Sequence, residues 1–322
     1  MSMRPSSYAT LRRRAEQRLS SIEHPTIASP FGTIEYAERG EGDAVLVLHG
    51  IFGGFDAGYL TVDPWIGDGF HVVAPSRFGC LGSSLPPNAT VADQADAYAV
   101  LLDALGIEQA AVVGFSAGTV SAMQFGLRHP GRTTALALMS GHYPQKHHKL
   151  PGLPLRLLYT DRVFWALKRF TPELLGRICG IPKGFRASPA EQQALEWVME
   201  GLFPIGARAR GAIFDTLVSE PEVDDLPLEQ LSVPTLMIHA ADDALARYAT
   251  APPAAARIPR ARLVTIDRGG HLYLGAEARV RREVAAFIRS DVARGAGLSV
   301  PTALTSGPPE GKRSRCEGEP RR

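Results

Sequence analysis

From Thr26 onward the chain reads as short apolar runs broken by turn residues, and these runs alternate with segments of helical periodicity. FGTIEYAERG followed by DAVLVLHG predicts a hairpin-like pair leading into a buried strand, because AVLVL is continuously apolar and stops at the glycine-rich GIFGG. FHVVAP predicts the next strand. TVADQADAYAVLLDALGI spaces its apolar residues as a helix does and ends near a glycine, and QAAVVGF returns to a strand. TVSAMQFGLRHP predicts a second helix, stopped by Pro130, and TTALALMSG a further strand. Strands that are apolar on both faces and alternate with helices pair in parallel, with the helices covering both sides of the sheet.

After His142 that rhythm stops. Residues 143–231 carry LLYTDRVFWALKRF, PELLGRICG and SPAEQQALEWVMEGLF, all helical in pattern and punctuated by prolines, and nothing there reads as a strand. A helical lid inserted into the sheet-forming chain is the expectation. VPTLMIHA and ARLVTID then resume the strands, and ARVRREVAAFIRSDVARG closes the fold as an amphipathic helix. The predicted architecture is α/β: a mostly parallel central sheet flanked by helices, with a core of residues 26–142 and 232–296 and a lid of residues 143–231. Residues 1–25 form a basic arm whose segment TLRRRAEQRL is helix-compatible but sparse in apolar positions. A loosely docked arm is expected, with attachment to a membrane surface as the alternative. Residues 297–322 are rich in Pro, Gly, Ser and charge and are expected to be a disordered tail. No internal repeat is present.

Composition narrows the function classes. With 322 residues, 45% of them hydrophobic and 21% charged, and a formal charge of +2, the chain can bury a sizeable core and reads as neither a nucleic-acid binder nor a disordered protein. The basic excess is local, at Arg12 to Arg14 and in the stretch from Lys312 to Arg322. Cys80, Cys179 and Cys316 have no paired spacing, so neither a disulfide framework nor a zinc site is indicated and a reducing interior is expected. No apolar segment follows the N-terminal arginines and no run approaches the roughly 18 apolar residues of a membrane span, so a cytoplasmic protein is expected.

The candidate chemistry begins at GFSAG. It matches G-x-S-x-G with a buried strand before it and a helix after it, and Gly114 and Gly118 remove side chains that would crowd a sharp turn. Ser116 would then project from the C-terminal edge of the sheet, where ligands of open α/β sheets bind. A serine hydroxyl needs a base, an acid to orient that base, and donors for an oxyanion. His271, in RGGHLYL just past the strand RLVTID, supplies the base at the same sheet edge. The acid follows the strand PTLMI in HAADDALA, where Asp243 is preferred and Asp242 is the rival. Each aspartate taken alone reads better as a turn or capping residue than as a catalytic acid. The oxyanion donors are expected from the backbone N–H of Ala117 and from the loop after VLVLHG, with Ile51 preferred over Phe52.

These residues resemble the α/β-hydrolase fold superfamily. The resemblance rests on His49 and Gly50, the stretch VVAPSRFGCLGSS, the elbow GFSAG, the acid loop AADD and the GGH around His271, and it covers residues 27–292 apart from the insertion. It implies a triad of Ser116, Asp243 and His271 beside a cavity roofed by the lid, with no metal and no cofactor. Ser76 departs from the pattern, standing where many relatives carry an aspartate, and this puts the packing of that loop in question.

The expected function is a serine hydrolase that cleaves an ester or related acyl bond of a small hydrophobic substrate. Phe52, Phe115 and Trp165 are the expected substrate contacts. The alternatives are a cofactor-free haloperoxidase-like enzyme, a C–C bond hydrolase, or a hydrolase-like protein that binds a ligand without turnover. His142, His147 and His148 invite a metal reading, but no carboxylate or cysteine partners them, and a lid hinge is preferred. RVFWALKRF reads first as packing over an apolar cavity and second as membrane-surface contact. HGIFGGF lacks the lysine of a phosphate loop. The expected partner is a small molecule, with no nucleic acid and no membrane-spanning segment.

Overall fold

The computed structural model describes residues 7–145 and 155–295. Eight strands form one sheet: β1 (Thr26–Ser29), β2 (Gly32–Arg39), β3 (Asp43–Leu48), β4 (Phe70–Pro75), β5 (Ala110–Phe115), β6 (Thr133–Met139), β7 (Thr235–Ala240) and β8 (Ala261–Ile266). Their order is β1-β2-β4-β3-β5-β6-β7-β8. The pairs β1/β2 and β2/β4 are antiparallel and the remaining pairs are parallel.

The expected hairpin of β2 with β3 does not form. β2 pairs with β1 on one side and β4 on the other, Tyr36 standing opposite Pro75. β3 inserts between β4 and β5 as a parallel strand. Its residues Val45 to Leu48 are fully buried, and a central place in a sheet covered on both faces meets that requirement. Alternate residues feed two separate apolar layers, as the period of a strand demands. Leu46, Leu48 and Val112 pack into the layer of the helix Val91–Ala104. Val45, Val47 and Val113 pack into that of the helix Glu277–Gly295, which brings Val280, Val284 and Ile288 to the sheet at successive turns. The helix Val91–Ala104 starts in a capping box: Thr90 accepts from the amide of Asp93, whose carboxylate accepts from that of Thr90.

Between β6 and β7 the described chain is helical, with Leu155–Leu158, Asp161–Phe170, Pro172–Ile178, Pro189–Gly201 and Ala209–Phe214 among its elements and no strand among the described residues. This helical insertion has its own small core of Phe164, Leu175, Met199, Phe203 and Ile205. Leu11 and Ala15 of the N-terminal helix Tyr8–Ser20 belong to that core and are 2% exposed. The arm is therefore seated rather than loosely docked. Tyr8 adds an edge-on ring contact to Phe203, and Arg18 completes the seat, pairing with Asp56 at 3.0 Å and donating to the carbonyls of Glu200, Gly201 and Phe203.

His147, His148, Cys316 and the tail expected over residues 297–322 lie outside the described residues. His142 is buried, and its amide donates to the Thr119 hydroxyl. No described helix is long and apolar enough to cross a membrane.

Candidate active site

Ser116 lies at the junction of β5 and the helix Gly118–Arg128 with φ +53°. A residue with a Cβ adopts this left-handed conformation at a cost of about 1–2 kcal/mol, so the surroundings must hold it. They do so through the Ser116 amide, which donates to Met139 O at 2.9 Å, and through the amide and hydroxyl of Thr119, which donate to Ser116 O at 3.0 and 2.6 Å. The flanking glycines are required by contact. A Cβ on Gly114 would stand 2.8 Å from that of Ala122, and one on Gly118 would stand 2.2 Å from Leu48 O. Gly50 is more mildly constrained, since a Cβ there would stand 3.0 Å from Ser116 Cβ.

The two rival aspartates have separate roles. Asp243 Oδ2 accepts from His271 Nδ1 at 2.8 Å, and its Oδ1 accepts from the amides of Leu245 and Ala246 at 2.8 and 3.0 Å. Asp242 accepts from the amides of Gly269 and Gly270 at 3.2 and 2.9 Å, fixing the glycine loop that presents His271. Burial by itself would raise the Asp243 carboxyl, but the charge of His271 and the hydrogen bonds from His239 and His271 outweigh it and hold the group well below the usual carboxylate range. A donor at Nδ1 leaves Nε2 as the basic nitrogen.

His271 Nε2 is buried, has no hydrogen-bond partner, and borders the same cavity as Ser116. No hydrogen bond joins it to the Ser116 hydroxyl. Such bonds are often long or misaligned in free enzymes and tighten when substrate seats, and rotation about χ1 is the adjustment open to a serine. Among the described residues, no backbone carbonyl accepts from the amides of Ala117, Ile51 or Phe52. Phe52 takes φ +55° in the loop between β3 and Phe55.

Several supporting residues were not legible in the sequence. Ser140, at the end of β6, donates its hydroxyl to His271 O at 2.8 Å. Gly180 of the insertion accepts through its carbonyl from the amides of His271 and Ala244. His239 is wholly buried, and its Nε2 lies 2.7 Å from Ala246 O and 3.4 Å from Asp243 Oδ2. The shared signal is a small or polar residue at a strand end or loop. It becomes specific only when the distant partner is known.

Behind the loop, His49 Nε2 accepts from the Arg77 amide at 3.0 Å while Nδ1 contacts Gly50 O at 2.7 Å. Burial first, and then the charge of Arg77, push this imidazole well below the ordinary histidine range, so it is a neutral structural brace. The Ser76 departure is compensated. Its hydroxyl donates to Glu35 at 2.8 Å and accepts from the Phe55 amide at 3.0 Å, so the carboxylate comes from β2.

Above Ser116 lies a cavity of about 380 Å³. Phe52 and Phe115 line it, together with Phe164, Leu167, Leu175 and Val198 from the insertion. Trp165 does not. Neighbouring residues on a helix point about 100° apart, so when Phe164 faces the cavity Trp165 turns away, and it packs edge-on against Tyr8 and Phe170. Ser116, His271, Tyr159 and Cys179 supply the side-chain polar atoms of the lining, which contains no Asp, Glu, Lys or Arg among the described residues. Burial pushes the Cys179 thiol up to about 12, which keeps it protonated. No group of three or more His, Cys, Asp or Glu among the described residues is arranged to hold a metal ion.

Known proteins share the family and the fold. A family profile described as alpha/beta hydrolase fold matches residues 43–168, and one described as TAP-like protein matches residues 217–294. The chain is 37% identical over 113 residues to the 2-hydroxy-6-oxo-6-phenylhexa-2,4-dienoate hydrolase of Comamonas testosteroni, a match covering 33% of this chain and only 39% of that relative. A solved alpha/beta hydrolase fold protein from Nakamurella multipartita superposes with a TM-score of 0.64 at 26% identity, over 83% of this chain and 99% of that one. An esterase from Exiguobacterium antarcticum shares the fold with a TM-score of 0.63 at 16% identity, over 83% and 100% of the two chains. Sheet order, elbow and profile matches lead to one conclusion: the chain belongs to the α/β-hydrolase fold superfamily.

Proposed function

We propose that the protein is a serine hydrolase that cleaves an ester or related acyl bond of an uncharged, apolar substrate through an acyl-enzyme. The observation that carries this reading is the hydrogen-bonded Asp243–His271 pair opening onto the same cavity as the strained Ser116. In the mechanism, His271 Nε2 takes the Ser116 proton as the hydroxyl oxygen attacks the substrate carbonyl. The oxyanion rests on the amides of Ala117 and of Ile51 or Phe52, and each such donor is worth about 100-fold to 1000-fold in rate. The tetrahedral intermediate collapses as His271 protonates the leaving oxygen. Water, deprotonated by the same nitrogen, then releases the acid, and Asp243 steadies the imidazolium in both steps.

A C–C bond hydrolase is the second reading, motivated by the Comamonas testosteroni relative. The dienoate in that relative's name carries a carboxylate. Seating one in a lining without Lys or Arg costs several kcal/mol of unrepaid desolvation, which favours the ester reading here. Rates on p-nitrophenyl esters of increasing acyl length, measured beside lactones and a dienoate, test the choice. Turnover of neutral apolar esters well above that of the dienoate is the expected result, and the reverse order overturns it.

A further inference from the structure

Seven large apolar side chains stand strongly exposed among the described residues, and five of them fall within residues 157–178: Leu157 (75% exposed), Leu158 (51%), Phe170 (68%), Leu174 (39%) and Ile178 (52%). A scattered exposed leucine is ordinary; five large exposed apolar side chains in one short helical stretch, two of them lining the cavity, are not. Leu158 and Ile178 also line the cavity above Ser116, as does the exposed Leu245, so these three form its mouth. Exposed cations alternate with the apolar residues along the same stretch, at Arg156, Arg162, Arg169 and Arg177, against one exposed acid, Glu173. The Arg169 guanidinium lies 5.4 Å from the Phe170 ring centroid, so charge and apolar surface meet at one point.

Charge selects the occupant of this surface. A second copy docked about a two-fold axis would bring this net-positive patch against an identical net-positive patch. The chain's own segment 296–322 carries Lys312, Arg313, Arg315, Arg321 and Arg322 against Glu310, Glu317 and Glu319, so it has the same sign and does not complement the patch. An anionic bilayer complements both features, because arginines reach lipid phosphates while bulky apolar side chains enter the headgroup boundary. We propose that this cationic, apolar rim of the cavity docks on anionic lipid surfaces, so that apolar substrates enter directly from the membrane. The docking step stands independently of the serine hydrolase reading, and only the delivery of substrate rests on it.

Co-sedimentation of the full chain with phosphatidylcholine vesicles, and with the same vesicles containing phosphatidylglycerol, is the test. Binding to the anionic vesicles about tenfold above the neutral ones, abolished by about 0.5 M salt, is expected. The pair Leu157→Ser and Phe170→Ser, outside the cavity lining, and the pair Arg162→Glu and Arg169→Glu should each remove that binding. Both pairs should keep turnover of a soluble short-chain ester within about twofold, the tolerance expected of surface changes away from the site. No binding to either vesicle, equal binding to both, or binding indifferent to all four substitutions overturns the proposal. So does a dimer in light scattering that Leu157→Ser dissolves. A wild type that binds anionic vesicles yet turns over no ester would count against the hydrolase reading and leave docking standing.

Discussion

The carbonyl of Gly180 accepts from the amide of His271 at 3.2 Å, and the same oxygen takes the amide of Ala244, next to Asp243, at 3.3 Å. One backbone atom of the helical insertion thus ties the histidine loop to the acid loop. Gly180 has φ +81°, and a Cβ there would stand 2.4 Å from His271 Cβ and 2.9 Å from Leu245 Cβ. Gly180→Ala must therefore displace the imidazole or the insertion. Ester hydrolysis should fall on the order of 100-fold, as for other small misplacements of a reacting group, with a loss of about 1 kcal/mol or more in stability. Kinetics on a p-nitrophenyl ester and a thermal melt check this together; unchanged kinetics would show that the insertion does not hold the pair.

Asp242 and Asp243 are adjacent in sequence and separate in consequence. Asp243→Asn keeps the size of the side chain but removes the carboxylate that fixes the His271 tautomer, and turnover should fall by about 10⁴. Asp242→Asn leaves an oxygen able to accept one of its two loop amides, so it should cost about 1 kcal/mol of stability and far less activity. Steady-state rates of the two variants decide. Equal losses would contradict the division of labour.

Much of this site was legible before any geometry, because its signals are local. The elbow is a buried apolar run, a G-x-S-x-G and a helix in immediate succession, and His271 and the acid loop each follow directly on a strand. What the sequence could not settle depends on distance. The choice between Asp242 and Asp243 turns on which carboxylate faces a ring 28 residues away. β2 found its partner in β4 rather than in the neighbouring β3 because the demand of AVLVL for cover on both faces outweighed chain proximity. Trp165 and Phe164 differ by one helical step, which the apolar pattern of that amphipathic segment did not resolve. The seat of the N-terminal helix was invisible because Arg18 finds Asp56 and the carbonyls near Phe203 only after folding.

Asp56 is 1% exposed and holds the fully buried Arg208 bidentately at 2.9 and 2.8 Å, with Arg18 as a further partner. Truncating it strands a buried guanidinium, so Asp56→Ala should lose about 3–5 kcal/mol. Arg18→Ala leaves the Asp56–Arg208 pair intact and should lose less. Chemical denaturation of both variants is the measurement; a loss below about 1 kcal/mol for Asp56→Ala would contradict this view of the network.

Glu220 provides a pH signature of the fold. Burial, reinforced by the charge of Asp215 and opposed by Arg77, pushes its carboxyl up to about 7. In the unfolded chain the group ionises near 4.5, so as pH rises from there the unfolded state releases its proton first and stability declines, levelling off above about 7 after a loss of up to about 3 kcal/mol. Glu220→Gln has no such proton to lose. Its stability relative to wild type should rise across that interval, as read from denaturation midpoints at several pH values, and parallel profiles would refute the assignment.

The central claim is that the hydroxyl at position 116 is activated by His271, and a fluorophosphonate probe tests it without knowledge of the substrate. Folded wild type should label with one probe per chain, Ser116→Ala should not label at all, and His271→Ala should label slower by on the order of 10³-fold or more. A folded wild type that stays unlabelled, or equal labelling of wild type and Ser116→Ala, would contradict it.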